Sequence, residues 1–234
     1  MNTFTGFDPR ALAFLRDLGD HNDRAWFHEH QAEYHDLLLE PARAFVVAMG
    51  ELLAAVAPGI HADPRVNGSI LRIARDTRFA SDPTPYRTHL SLWFWEGDGP
   101  NRECAGYLLR LDHDAITLGV GAHHFPTAAL AEYRRALDAD DRGAELDRAV
   151  RKALKAGARF GPARWKRVPA PYAADHPRAD LLRHDGLVAA TTDPLPAEAL
   201  TAAFPEWCAA RWRPMRPLQA WVAGVVGSAA GVRA

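Results

Sequence analysis

Cysteine and lysine are both scarce in this 234-residue chain: there are two Cys, and of the 28 basic residues only Lys152, Lys155 and Lys166 are Lys. Cys104 and Cys208 stand far apart, with no CxxC and no Cys/His spacing, which excludes a disulfide scaffold. No apolar run is long enough to span a bilayer. The most apolar stretch, Trp221–Val232, is short, contains Gly224, Gly227, Ser228 and Gly231, and reads as a core-packed terminal helix with a frayed tail. The start, Met1-Asn2-Thr3-Phe4-Thr5-Gly6, has no basic segment followed by an apolar one, so no signal peptide is expected and the expected location is cytoplasmic. P-loop, GxSxG elbow, EF-hand loop and HExxH are all absent, and the sequence specifies no cofactor and no metal site.

What is present is a near-neutral, arginine- and alanine-rich chain. It carries 28 basic against 29 acidic residues, which excludes a bulk polycation, and 48% hydrophobic residues, which excludes a disordered chain. At this length the apolar surface can be buried without covalent staples. A GC-rich genome accounts for the Arg and Ala excess in general, but not for where particular Arg residues sit. No repeat and no low-complexity linker divides the chain. The expectation is a single α+β domain: helical over 1–60, sheet over 66–124 and mainly helical over 126–234, with a mainly antiparallel sheet packed by N- and C-terminal helices.

The local signals are specific. Asp8-Pro9 predicts a capped helix through Leu18, with Leu12, Phe14, Leu15 and Leu18 as its stripe. Asn22 or Asp23 caps a second helix, in which Phe27, His30, Tyr34, Leu38 and Pro41 share a face and Pro41 kinks or restarts it. That helix continues from Ala42 to Val56 and stops at Pro58-Gly59. Asn67-Gly68 marks a turn. Ser69–Phe79 and His89–Trp95 read as strands, and Tyr107–Leu111 with Ala115–Val120 as a hairpin around Asp112-His113-Asp114. Helices are expected over 127–137, 142–156, 196–204 and 217–226, with 162–177 irregular.

The densest chemistry lies in Arg72-Ile73-Ala74-Arg75-Asp76-Thr77-Arg78-Phe79, followed by Pro85-Tyr86-Arg87. On a strand, Arg72, Asp76 and Arg78 share one face with Ala74, and Arg75 lies on the other with Ile73, Thr77 and Phe79. Guanidinium forks recognise phosphate or carboxylate by bidentate bonds. Asp76 then orients an arginine, accepts a proton in acid–base catalysis, or binds a metal. The alternative is a mutual ion-pair network that braces the sheet. Tyr86 and Arg87 either close the site from the adjoining loop or serve the core.

The pattern RxxRDxRF, followed by PY, resembles the signature of the bacterial family catalogued as domain of unknown function 2461; Arg72, Arg75, Asp76, Arg78, Phe79, Pro85 and Tyr86 match it. The N-terminal stretch is similar too: Gly6-Phe7, Phe14-Leu15, Asn22-Asp23-Arg24-Ala25-Trp26-Phe27, Tyr34 and Pro41. One position departs, since Pro83 stands where the family pattern RFxxxKxPY has Lys. The resemblance covers essentially the whole chain and implies a bacterial cytosolic protein whose Arg72–Arg87 residues form a shared site. It implies no particular activity.

Other candidates have weaker patterns. His30, with Trp26 and Tyr34, either packs in the core or lines a pocket facing the Arg strand. His28, Glu29 and His35 lack zinc spacing. His123 and His124 follow Gly119-Val120-Gly121, and His123 is a ligand-contact candidate at a strand end. From Arg148 to Arg167 the chain holds Arg148, Arg151, Lys152, Lys155, Arg159, Arg164, Lys166 and Arg167 without one acidic residue, after an acid-rich stretch ending at Asp147. This is either a solvated helix face or a patch for nucleic acid or an acidic protein, with Trp165 as a stacking aromatic. A third reading, an interaction protein, needs several of Trp93, Trp95, Trp207 and Trp212 on the surface. The leading expectation is an anionic small molecule bound by Arg72, Arg75 and Arg78 with Asp76, Tyr86 and Arg87. A nucleic-acid or protein partner on the 148–167 face is second, and a membrane partner is excluded.

Overall fold

The computed structural model describes residues 3–78 and 81–231. In chain order they form α1 (Pro9–Asp20), α2 (Arg24–Glu29), α3 (Gln31–Glu33), a π-helical turn (Tyr34–Leu39), α4 (Glu40–Ala54), β1 (Ile60–His61), β2 (Leu90–Glu96), β3 (Ala105–Leu111), β4 (Ala115–Ala122), α5 (Thr127–Asp138), α6 (Asp140–Lys155), β5 (Arg159–Phe160), α7 (Ala179–Leu182), β6 (Leu187–Pro194), a 3-10 turn (Ala197–Leu200), α8 (Phe204–Trp212) and α9 (Arg216–Gly231). The strands make an antiparallel sheet in the order β1-β2-β3-β4-β6-β5, an α+β fold. Contacts group the chain into two compact units. One holds Met1–Phe94, Leu108–Leu118 and Thr192–Ala210; the other holds Trp95–Tyr107, Gly119–Thr191 and Arg211–Ala234.

In the first unit the helix starts follow capping chemistry. The Asp8 carboxylate accepts from the Arg10 N–H ahead of Pro9, and Asp23 accepts from the N–H groups of Ala25 and Trp26. α1 buries Ala11, Phe14, Leu15 and Leu18. Pro41 brings no N–H, so the four-residue ladder cannot run through it. The chain absorbs this in the π-helical turn, where the Glu40 N–H reaches back to the His35 carbonyl, and α4 restarts with Pro41 in its first turn. Phe4, Phe7, Phe45 and Phe204 build the core, with ring centroids 5.2–6.4 Å apart and mostly edge-on. The Phe7 N–H donates to the Ala199 carbonyl. Gly6 makes that approach possible: its φ is 113°, and a Cβ there would fall 2.3 Å from the Leu200 carbonyl carbon.

The strand expected over Ser69–Phe79 does not form a ladder; Phe79 itself lies outside the described residues. Among the described residues the segment makes only isolated bridges: Ile70 pairs with Val66 (parallel) and with Leu92 (antiparallel), and Ala74 pairs antiparallel with Tyr86. Around the last, the Arg75 N–H donates to the Pro85 carbonyl and the Arg87 N–H to the Ile73 carbonyl. Pro83 and Pro85 have no N–H to extend the pairing.

In the second unit α5, α6 and α9 pack against one another. α6 buries Gly143, Leu146, Ala149 and Ala153 at helical spacing. In α9, Leu218, Trp221, Val222, Val225 and Ala229 form the inward stripe. The Trp221 indole N–H donates to the Arg142 carbonyl. Arg178 staples this bundle: its guanidinium bonds both oxygens of Asp147 at 2.9–3.2 Å and donates to the Leu137 carbonyl at 3.0 Å. Gly143 leaves it room, since a Cβ there would lie 2.4 Å from the Arg178 guanidinium.

β5 and β6 fall in the region expected to be mainly helical, and β1 was not expected. β5 and β6 pair antiparallel, with Arg159 opposite Ala190 and Phe160 opposite Ala189. The helix expected over 196–204 is a short 3-10 turn, with α8 starting only at Phe204. Both cysteines are buried thiols. Of the four tryptophans among which an interaction surface would need several exposed, Trp93 and Trp212 are buried and Trp95 and Trp207 half-buried, so none is exposed and that reading loses its basis. Among the described residues no helix is long and apolar enough to cross a membrane.

Candidate functional site

Although it lacks a ladder, the 71–78 segment keeps a two-residue alternation. Leu71, Ile73, Arg75 and Thr77 are half-buried, whereas Arg72, Ala74, Asp76 and Arg78 are exposed. The two faces are those expected from strand geometry. Their chemistry differs.

The inner side is a brace. Arg75 donates to Asp82 Oδ2 at 2.5 Å and to Thr84 Oγ1, with 27% of its side chain exposed. Asp82 also accepts from the Thr84 N–H at 3.0 Å and its hydroxyl at 2.8 Å. These bonds, the Thr84 N–H foremost and then Arg75, hold the Asp82 carboxyl down at about 2. Asn22 adds a second clamp. Its Oδ1 accepts from the Tyr86 N–H and its Nδ2 donates to the Tyr86 carbonyl, both at 3.0 Å, so a side-chain amide takes the place of a strand partner. The Tyr86 ring stacks on Phe27 at 4.1 Å, and Phe27 packs on Tyr34 at 5.4 Å. Arg75 and Tyr86 are thus engaged in holding the segment, and Arg87 is half-buried beside them.

The outer side offers charge. Asp76 accepts from Arg78 Nε at 2.9 Å and Nη2 at 2.7 Å, and from the Arg78 N–H at 3.3 Å. The Arg78 side chain first, then its N–H, and the Arg72 charge as a smaller contribution, hold the Asp76 carboxyl below its ordinary value despite slight desolvation. Asp76 is therefore ionised and occupied at neutral pH, which suits orienting Arg78 better than taking up a proton. Arg78 Nη1 makes no bond to Asp76. Arg72 makes no ion pair or hydrogen bond among the described residues.

The histidine candidates lie elsewhere. His30 stacks on Trp26 at 4.1 Å, and its Nδ1 sits 2.8 Å from the Trp26 carbonyl. His21 stacks on the same indole at 5.9 Å. With Arg10, Phe14, Asp17 and Glu33 they line an open cavity of about 590 Å³. Tyr34 and the Arg72–Arg87 residues are not among its lining, so the expected pocket facing the Arg segment is not what His30 lines. His123 and His124 are exposed and belong to the second unit; His124 Nδ1 is 3.7 Å from Asp185. Among the described residues no three His, Cys, Asp or Glu are placed to hold a metal ion.

His89 was missed in the sequence. Burial first, then the Arg110 charge and less so Arg87, push its imidazole down to about 4, with Asp112 opposing. Arg110 itself forks onto Asp112 at 2.7–3.2 Å. The apolar text around it, His89–Trp95, drew attention to a strand and away from the group at its start.

Compared with known proteins, residues 10–221 match the family profile described as conserved hypothetical protein, domain of unknown function 2461. No curated protein and no solved structure matches the chain.

Proposed function

From the premise that the chain belongs to the domain of unknown function 2461 family, we propose that it binds a small anionic molecule, a phosphate or carboxylate, on the exposed side of the 72–78 segment. The observation that carries this reading is the division within the motif. Arg75 and Tyr86, with Asn22, fix the segment from its inner side, and Arg72, Asp76 and Arg78 face solvent. In the proposal Arg72 presents its whole guanidinium fork, and Arg78 presents the edge that Asp76 leaves open. Asp76 is a positioning residue for Arg78, and the reading needs no acid–base step.

Spacing narrows the ligand. Six residues of extended chain span at most about 20 Å between Cα atoms. Arg72 and Arg78 therefore meet one ligand most readily when it carries two anionic groups, each received by one fork. The missing Lys is no obstacle, because position 83 is an exposed Pro in the braced turn.

A thermal-shift screen of phosphorylated and dicarboxylate metabolites on wild type, Arg72→Ala and Arg72→Lys tests the proposal. A ligand at about 100 times its Kd raises stability by ~2.7 kcal/mol. The expected result is a stabilising ligand whose effect is lost in Arg72→Ala and not restored by Arg72→Lys, since an ammonium cannot replace a fork. Equal stabilisation of wild type and Arg72→Ala would remove the site.

A further inference from the structure

A second region rich in cations is not absorbed by that reading. α6 buries Leu146, Ala149 and Ala153, which fixes its rotation, and Arg148, Arg151, Lys152 and Lys155 are all exposed on the opposite side. Their three- and four-residue steps put them on one face over two turns. The acidic residues of the helix are committed elsewhere. Glu145 pairs with Arg142 at 2.8 Å, Asp147 with Arg178 at 2.9 Å, and Asp140 and Asp141 lie in the first turn, where the helix dipole favours them. Among the described residues Arg148, Arg151, Lys152 and Lys155 make no ion pair and no side-chain hydrogen bond. Past the helix Lys166 and Arg167 are also exposed and make no ion pair among the described residues, whereas Arg164 meets Asp185 at 3.7 Å. Arg148 and Lys152 further line a cavity of about 470 Å³ against Ala220 and Trp221, where low-dielectric walls strengthen the field.

We propose that this face binds the phosphate backbone of double-stranded nucleic acid, without reading its bases. The geometry fits: the seven steps from Arg148 to Lys155 rise about 10 Å, against one phosphate per ~3.4 Å along each strand of a duplex. Single strands bind largely by stacking on open aromatic rings. The aromatic of this run is not open, because the Arg134 guanidinium lies over the Trp165 ring at 4.6 Å and the residue is half-buried. The stacking role expected for Trp165 is therefore replaced by a purely ionic surface. An acidic protein is a poorer fit, since protein interfaces centre on buried aromatic or apolar anchors, and the large apolar side chain exposed on α6 is Leu154 alone among the described residues.

The test is fluorescence anisotropy with a labelled mixed-sequence duplex of roughly 20 bp, from about 50 to about 200 mM salt. The expected slope of log K against log salt is about −3 to −4, near −0.9 per neutralised phosphate. Two unrelated duplex sequences bind alike. Arg151→Glu with Lys155→Glu lowers affinity at least ~10-fold and reduces the slope by about 2. Arg151→Gln with Lys155→Gln falls between, and circular dichroism checks that both variants fold. No binding at the lowest salt, a salt-independent affinity, or unchanged binding by the two charge variants overturns the proposal. So does single-stranded DNA binding more tightly than duplex, or polyglutamate competing as well as duplex.

Discussion

In the segment from Arg72 to Arg87, Asp76 takes up Arg78, and Asp82 and Thr84 take up Arg75. In α6, Arg148, Arg151, Lys152 and Lys155 have no such partner among the described residues, because Glu145 and Asp147 are held by Arg142 and Arg178. Both regions look equally basic as text. They differ in how many cations a carboxylate takes up: Arg75 and Arg78 in the first, none of these four in the second among the described residues. Outside helices an Asp two residues from an Arg suffices, as in Asp63–Arg65, Asp76–Arg78 and Arg110–Asp112. On helices the reach is three residues, as in Glu40–Arg43, Glu132–Arg135, Arg142–Glu145 and Asp180–Arg183. In the C-terminal half of α6 the acids at such reach, Glu145 three residues before Arg148 and Asp147 four before Arg151, are taken by Arg142 and Arg178, and no acid follows Asp147 in the helix. Exposed pairs of this kind add little stability, so their main effect is on which guanidinium remains open to a ligand.

The largest expected effect comes from removing the outside partner of α6. Arg178→Ala leaves Asp147 uncompensated and costs about 2 kcal/mol by urea denaturation, below the ~3–5 of a fully buried pair because 34% of the Asp147 side chain is exposed. The released carboxylate also lies next to Arg148 in sequence, so duplex affinity falls as well. Undiminished stability would show that the staple is not needed.

A change in pH should come next. The folded value of His89, about 4, lies below its ordinary 6.5, so the unfolded chain binds the proton more readily. The stability due to neutral His89 is complete above pH 6.5 and is lost as pH falls toward 4, on the order of 1 kcal/mol because solvent partly screens the half-buried ring. In His89→Gln the acid limb of a pH–urea series flattens over that window; an unchanged limb would assign it to other groups.

Arg75→Ala acts on the brace and should lower Tm by about 2–4 °C. It also lets the Asp82 carboxyl rise from about 2 part of the way toward 3.8, since the Thr84 bonds remain, and carboxyl NMR titration reads this directly. The smallest effect belongs to Arg72→Ala, with Tm within about 1 °C of wild type, as for a surface residue without partners. A drop as large as that of Arg75→Ala would make Arg72 part of the brace.

Much of the fold was legible in the sequence where a local rule decides it. Asp8-Pro9, Asp23 and Pro41 set the helix boundaries, and Asp112-His113-Asp114 turns the hairpin from β3 into β4. The alternating faces of 71–78 were legible too, since they depend only on extended backbone. The ladder was not, because pairing depends on the partner segment, where Pro83 and Pro85 supply no donor. β6 was overlooked because Ala189-Ala190 favours no strand by itself; Ala190 fits where a Cβ on Gly119 would be only 3.2 Å away. At the candidate site the exposed trio Arg72, Asp76 and Arg78 could be read from alternation. The role of Arg75 could not, because Asp82 and Thr84 come within its reach only once the turn is folded.

The contrast between the two regions is tested most directly by duplex-DNA anisotropy on three proteins in parallel: wild type, Arg72→Ala, and Arg151→Glu with Lys155→Glu. Only the α6 double variant should lose affinity, at least ~10-fold and with a shallower salt slope, while Arg72→Ala binds as wild type does. Equal losses in Arg72→Ala and the double variant, or no loss in either, would contradict the account.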